Sequence, residues 1–196
     1  MKDSFEALIN SYIDTNVGIA TNFLPDTLAL NLTTNLLKLY NQNMMSAAGT
    51  GSSGNVSHDK KNRGDSIYWL DKKHNNTDEN DFFDYIDKFV DYLNSQCYTG
   101  IKSYEFHYTM YQPGTFYKKH LDQFQNSANR AFSIISYLNL DWKESDGGEL
   151  CIHHATNEQR ISPTNGKTVF FKSNELEHEV LPTQVNRLSI TGWLKT

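Results

Sequence analysis

Cysteine is scarce in this chain: 196 residues contain two, Cys97 and Cys151. Both sit within apolar patterns, so buried thiols are expected rather than a disulfide framework or a redox pair. A long apolar run is also missing. No stretch could span a bilayer, and Met1-Lys-Asp-Ser-Phe-Glu6 lacks the apolar segment of a secretion signal. The expectation is a cytosolic protein with no membrane partner. Basic excess is absent too. Eighteen Lys and Arg against 23 Asp and Glu leave a formal charge of −5, which gives no broad cationic surface for phosphates and argues against nucleic acid as a partner. Composition shows no break along the chain, and a hydrophobic content of 38% is enough for one packed core. One domain over residues 1–196 is expected.

The first third reads as helical. Phe5, Leu8, Ile9 and Ile13 mark one amphipathic segment, and Leu24-Pro25-Asp26 opens a second in which Leu28, Leu32, Leu36, Tyr40 and Met44 recur every fourth residue. Residues 1–45 are thus read as helical support. Gly and Ser then dominate residues 46–65, read as a mobile loop of the length used for lids. Ser66–Leu70 is a short strand candidate, and Phe82, Ile86, Phe89, Val90 and Leu93 share a side of a third helix. Beyond Gly100 the period becomes two. Tyr104, Phe106, Tyr108 and Met110 alternate with Glu105, His107 and Thr109, and short strands follow near 116–120, 132–137, 149–153, 167–171, 177–181 and 188–193. Helices followed by about eight strands predict a mainly β fold with N-terminal helices. The specific expectation is a double-stranded β-helix, or cupin-like jelly roll, with its core at 101–196 and the helices packed on one sheet.

His120-Leu-Asp122 carries the chemistry. Ligands at i and i+2 on a strand share a face, and a distant strand can add His178. Two imidazoles and a carboxylate on one side of an Fe(II) ion leave the other side open for a cosubstrate and dioxygen. Arg187 begins the strand Arg187-Leu-Ser-Ile-Thr-Gly-Trp193, on which Arg187, Ser189, Thr191 and Trp193 share a face. A guanidinium aimed into a barrel is costly unless an anion meets it, and a dicarboxylate would do so in a bidentate way. The remaining histidines carry less weight. His107, on the polar side of an edge-like strand, and His58 and His74, in hydrophilic loops, are expected to be structural or solvated. His153-His154 is the rival metal pair, but adjacent strand residues point to opposite faces and cannot readily share one ion.

Several stretches together resemble the Fe(II)- and 2-oxoglutarate-dependent dioxygenases, and within them prolyl 4-hydroxylases of the oxygen-sensor type and their bacterial relatives. They are Arg63-Gly-Asp-Ser-Ile-Tyr-Trp69, Tyr111-Gln-Pro-Gly114, Tyr117-Lys-Lys-His120-Leu-Asp122, Tyr137-Leu-Asn-Leu-Asp-Trp142, Gly147-Gly-Glu-Leu150, His178, Arg187 and Thr191-Gly-Trp193. The resemblance runs from about Arg63 to Thr196. It implies that His120, Asp122 and His178 bind iron and that Arg187 and the Tyr137 hydroxyl reach the distal carboxylate of 2-oxoglutarate. Tyr111, Leu150, Thr191 and Trp193 would line the same pocket. Arg130 at the mouth, Asp65 at the foot of the loop and Tyr117 would meet substrate, with Asp65 and Arg130 latching a lid. Implied cofactors are Fe(II), 2-oxoglutarate and O2, with ascorbate in support. The implied partner is a proline-containing protein or peptide, one from the translation machinery among the candidates. A 2-oxoglutarate oxygenase of free amino acids or of other side chains is the alternative, and a catalytically silent jelly-roll binding module stands in a different class.

Overall fold

The computed structural model describes residues 2–49, 61–123 and 129–196. In chain order come α1 (Lys2–Thr15), β1 (Gly18–Ala20), α2 (Asp26–Asn41), β2 (Ser46–Ala47), β3 (Ser66–Trp69), α3 (Thr77–Cys97), β4 (Ser103–Tyr111), β5 (Tyr117–His120) and β6 (Arg130–Tyr137). β7 (Leu150–His153), β8 (Glu158–Ile161), β9 (Thr168–Lys172), β10 (Glu177–Val180) and β11 (Arg187–Lys195) complete it. The strands form a seven-stranded sheet, β1-β9-β6-β11-β4-β3-β2, and a four-stranded sheet, β5-β10-β7-β8. Every ladder is antiparallel. The arrangement is the expected jelly roll.

Alternation along β4 and β11 sorts side chains between two cores. Phe106, Tyr108, Met110, Leu188, Ile190 and Leu194 meet the apolar stripes of the helices, among them Phe5, Leu8, Leu32, Leu36, Phe82, Ile86 and Phe89. Between the sheets lies a second cluster with Tyr111, Ile135, Tyr137, Leu150, Ile152, Phe171 and Val180. Each fully buried side chain of this size contributes about 1.5–3 kcal/mol. A buried polar link ties the layers: Asn35 Nδ2 donates to Glu79 Oε1 (3.3 Å) and to the Tyr108 hydroxyl (3.1 Å), while the side chain of Asn76 caps α3 by accepting from the Glu79 N–H (3.0 Å).

Three expectations change. Met44 lies beyond the end of α2 and is exposed, so the stripe ends at the half-buried Tyr40. Cys97 closes α3 and is exposed, whereas Cys151 is buried as expected. Of the structural or solvent roles expected of His74 it takes the structural one, its Nδ1 lying 2.9 Å from the buried carboxylate of Glu79. β1, β2 and β8 were not foreseen. The first two are very short, and Glu-Gln-Arg-Ile in β8 is an edge strand with little apolar signal. Residues 50–60, which include His58 and most of the expected mobile loop, lie outside the described residues. Among those described, no helix is long and apolar enough to cross a membrane.

Close approach of β11 to its neighbour requires glycine at 192. A Cβ there would stand 2.1 Å from a Phe106 ring carbon and 2.5 Å from the Glu105 carbonyl oxygen. Overpacking of this kind costs about 1–3 kcal/mol or more, so Gly192→Ala should lower the melting temperature by roughly 2 °C or more. Thermal unfolding with an unchanged midpoint would contradict this packing.

Candidate active site

The smaller sheet brings the triad together. β5 ends on His120, directly opposite His178 of β10. Asp122 follows two residues later, just past the strand, and is buried. Its Oδ1 lies 3.5 Å from His120 Nε2 and its Oδ2 3.6 Å from His178 Nε2. One ligand atom from each residue falls within 4.8 Å of the others. Local bonds aim the rings: Nδ1 of His120 donates to the Lys118 carbonyl (2.8 Å) and Nδ1 of His178 to the Leu176 carbonyl (3.0 Å). Each bond fixes a tautomer and turns Nε2 toward the carboxylate. Ser133 Oγ donates to Asp122 Oδ2 at 2.7 Å and is itself 2.9 Å from Ser173 Oγ.

Burial pushes the His178 pKa down to about 4 against the pull of Asp122, so its ring is neutral at pH 7. Burial alone would raise Asp122, but His178, His120 and the Ser133 hydroxyl outweigh it and hold the carboxyl well below the usual range. An ionised carboxylate beside Nε2 atoms on a shared face suits a divalent iron ion.

A β-bulge completes the wall. Between β5 and β10 the register shifts, so Tyr117 pairs with Val180 while His120 pairs with His178. Tyr117 and His120 consequently both face the cavity, their rings stacked at 3.6 Å, and the Arg63 guanidinium lies 4.2 Å above the Tyr117 ring.

Arg187 opens β11 and is buried. Its Nε donates to the Gly148 carbonyl (2.7 Å), yet among the described residues Nη2 finds no hydrogen-bond partner, and neither do the buried Tyr137 hydroxyl, Ser189 Oγ and Trp193 Nε1. Burial pushes the Tyr137 pKa up to about 12 despite the neighbouring Arg187 charge, so the phenol keeps its proton. Gly148, at φ +76°, leaves room for this guanidinium: a Cβ would meet Arg187 Cδ at 3.1 Å. A buried cation with an unanswered N–H beside a protonated phenol fits the carboxylate of an anionic ligand. The cavity of about 340 Å³ is lined by Arg187 and the triad and also by Trp69 and Arg130.

Tyr111, Leu150, Thr191, Trp193, Arg130 and Tyr117 also line the cavity. Tyr137 is packed behind the wall with its ring centre 5.0 Å from the Arg187 guanidinium carbon. The anticipated pairing of Asp65 with Arg130 is replaced by two separate ones. Asp65 is buried and bonded by Arg63 (Nε–Oδ1 2.7 Å, Nη2–Oδ2 2.5 Å). Arg130 bonds Glu105 Oε1 (3.0 and 2.8 Å) and the Asp122 carbonyl (3.1 Å), and stacks on Trp193 at 3.6 Å. Asp65 takes the guanidinium two residues before it in the chain, and Glu105 on β4 takes the one that reaches across β11 from β6. His107 was expected in a structural or solvent role on the polar side of an edge-like strand, and the strand is not at an edge. β4 runs between β11 and β3, and His107 is buried against Trp69 and Trp193 in the cavity wall. Its alternation with Thr109 and Tyr111, both also in the wall, was the available signal.

The model of the 2OG-Fe(II) oxygenase superfamily matches residues 106–195. A prolyl-4-hydroxylase of Pseudomonas putida is 29% identical, with a TM-score of 0.86 over 97% of this chain and 98% of that one. This protein is a 2-oxoglutarate- and Fe(II)-dependent oxygenase. A prolyl hydroxylase from Trichoplax adhaerens, solved with a peptide fragment of the hypoxia inducible factor oxygen degradation domain, is 25% identical (TM-score 0.83, 97% and 88% covered). A viral collagen prolyl hydroxylase from Paramecium Bursaria Chlorella virus-1 shares the fold at 20% identity (TM-score 0.63, 93% and 97% covered).

His107 gives this oxygenase a pH signature. Burial lowers its pKa to about 4 from 6.5. The unfolded chain therefore binds the proton more readily, and the stability His107 contributes is complete above pH 6.5 and lost as pH falls toward 4. In metal-free protein the melting temperature should fall less between pH 7 and 5 for His107→Asn than for wild type. Equal slopes would show that His107 is not buried uncharged.

Proposed function

We propose that this oxygenase hydroxylates a peptidyl proline, acting as a prolyl 4-hydroxylase. Support comes first from the buried Arg187, whose free Nη2 and neighbouring Tyr137 hydroxyl await a carboxylate beside a His-Asp-His triad. The similarity to prolyl hydroxylases, one of them solved with a peptide, supports the substrate class. In this reading His120, Asp122 and His178 hold Fe(II). Arg187 and Tyr137 clamp the distal carboxylate of 2-oxoglutarate, while Tyr111, Leu150, Thr191 and Trp193 form its walls. Fe(II), 2-oxoglutarate and O2 together supply the oxidising power that places one oxygen atom on the substrate and the other in succinate, with release of CO2; ascorbate supports the iron's reduced state.

The chain's own part is positioning and exclusion. The bonds from His120 and His178 to local carbonyls keep Nε2 aimed at the ion, and Ser133 holds the Asp122 carboxylate. Aromatic walls restrict water around the reacting centre. Tyr117 and Arg130 stand at the substrate side, with Asp65 acting through its bonds to Arg63, which covers Tyr117. Residues 1–196 work as one catalytic unit in the cytosol, with 1–45 as support and 101–196 as the jelly-roll core. A proline on a protein of the translation machinery is the proposed target. A silent binding module would have no reason to bury the Arg187 cation with an unanswered donor.

Mass spectrometry of proline-containing peptides incubated with the enzyme tests this reading. One added oxygen on proline, matched by succinate, is expected. His178→Ala should lose turnover, and Arg187→Ala should raise the KM for 2-oxoglutarate about 100-fold, the effect of deleting one partner of a buried charge pair. Succinate formation that no proline peptide stimulates would overturn the substrate class. Wild-type kinetics in either variant would overturn the site.

A further inference from the structure

We propose that the outer face of the smaller sheet carries a second metal site, in which Cys151, His153 and Glu158 clamp a borderline-soft divalent ion of the zinc class. Strand alternation separates it from the iron site. Leu150 and Ile152 of β7 turn into the core between the sheets, so Cys151 and His153 share the opposite face. Across the ladder, Glu158 of β8 stands opposite His153 and Glu179 of β10 opposite Cys151. Cys151, His153 and Glu158 each offer a ligand atom within 4.8 Å of the others. The spacing that serves His120 and Asp122, i and i+2, recurs here with a thiol and an imidazole.

The hydrogen bonding around His153 points to a cation. Nε2 donates to Glu179 Oε1 at 2.9 Å. Nδ1 lies 3.3 Å from Glu158 Oε1, so the ring stands between two carboxylates. With Nε2 held by Glu179, Nδ1 and the Glu158 carboxylate face each other across a gap that takes a positive charge, and a divalent ion bound to both and to Cys151 Sγ supplies it. A metal-bound imidazole whose other N–H is held by a carboxylate is the usual support for such a ligand. Sulfur, nitrogen and carboxylate oxygen are the donors zinc takes in tetrahedral sites, the remaining position going to water. The half-exposed Glu158 gives an approach from solvent, and the thiol proton leaves to solvent as Sγ takes the ion. An occupied clamp would join β7 to β8, and through the His153–Glu179 bond it would brace β10, the strand that carries His178 inward.

Cobalt(II) is the probe, because its thiolate charge-transfer absorption in the near ultraviolet requires sulfur and the iron triad has none. Titrated anaerobically into the full chain with Fe(II) and 2-oxoglutarate present, cobalt should raise this band at one ion per chain, and zinc should abolish it. Cys97→Ser, which removes the exposed thiol, should keep the band. Cys151→Ser should lose it, and His153→Ala should weaken cobalt binding at least 10-fold. No thiolate band in folded wild type, or a band that survives Cys151→Ser, would overturn the proposal. Neither result bears on prolyl hydroxylation, which is read from a separate site.

Discussion

The pairing of His120 with His178 across β5 and β10 sets the geometry around which this molecule is organised. The two residues are distant in sequence, and only antiparallel registration of the smaller sheet puts both rings on one face. The contact is enforced from both sides. Between the sheets, Phe171 packs edge-on against the His178 ring at 4.9 Å, and Ser133 on β6 of the larger sheet bonds Asp122. The iron position is therefore a joint product of two layers. An error in either sheet's register would rotate a ligand out of the cavity, because a slip of one residue reverses every side chain on a strand.

Electrostatics explains why the cavity has two unlike ends. Around Asp122, negative charge is concentrated and satisfied by neighbours that would share a metal ion. Around Arg187, positive charge is buried and only partly satisfied, by the Gly148 carbonyl. A ligand with a metal-chelating head and an anionic tail completes both ends at once. The glycine pair 147–148 makes the Arg187 end possible, since both adopt positive φ and Gly148 lies against the Arg187 side chain. Such a pocket is costly without its ligand and stabilised by mass action with it.

Much of this architecture could be read from the residues, and the failures have identifiable causes. The four-residue period of Leu28, Leu32 and Leu36 and the two-residue period of β4 reported burial directly, because packing against a sheet imposes those periods. His-x-Asp, His178 and Arg187 were identifiable because few uses other than chelation and anion binding justify burying them together. Pairing partners were harder to read. Asp65 and Arg130 were matched by charge across a supposed lid, but charge alone does not reveal that Arg63 and Glu105 lie closer. The strand of His107 was read as edge-like because a polar residue on an alternating strand looks identical whether its face meets solvent or a cavity. The bulge that turns Tyr117 inward depends on cross-strand register, which a single sequence does not encode locally.

The central claim is that the triad and Arg187 act as one site for Fe(II) and 2-oxoglutarate. Anaerobic titration of Fe(II) into the metal-free protein, with and without 2-oxoglutarate, tests this most directly through the visible metal-to-ligand charge-transfer band that forms when the keto acid chelates the ion. The account predicts a band that requires both additions and saturates at one iron per chain. A folded protein that develops no band with both present would contradict it.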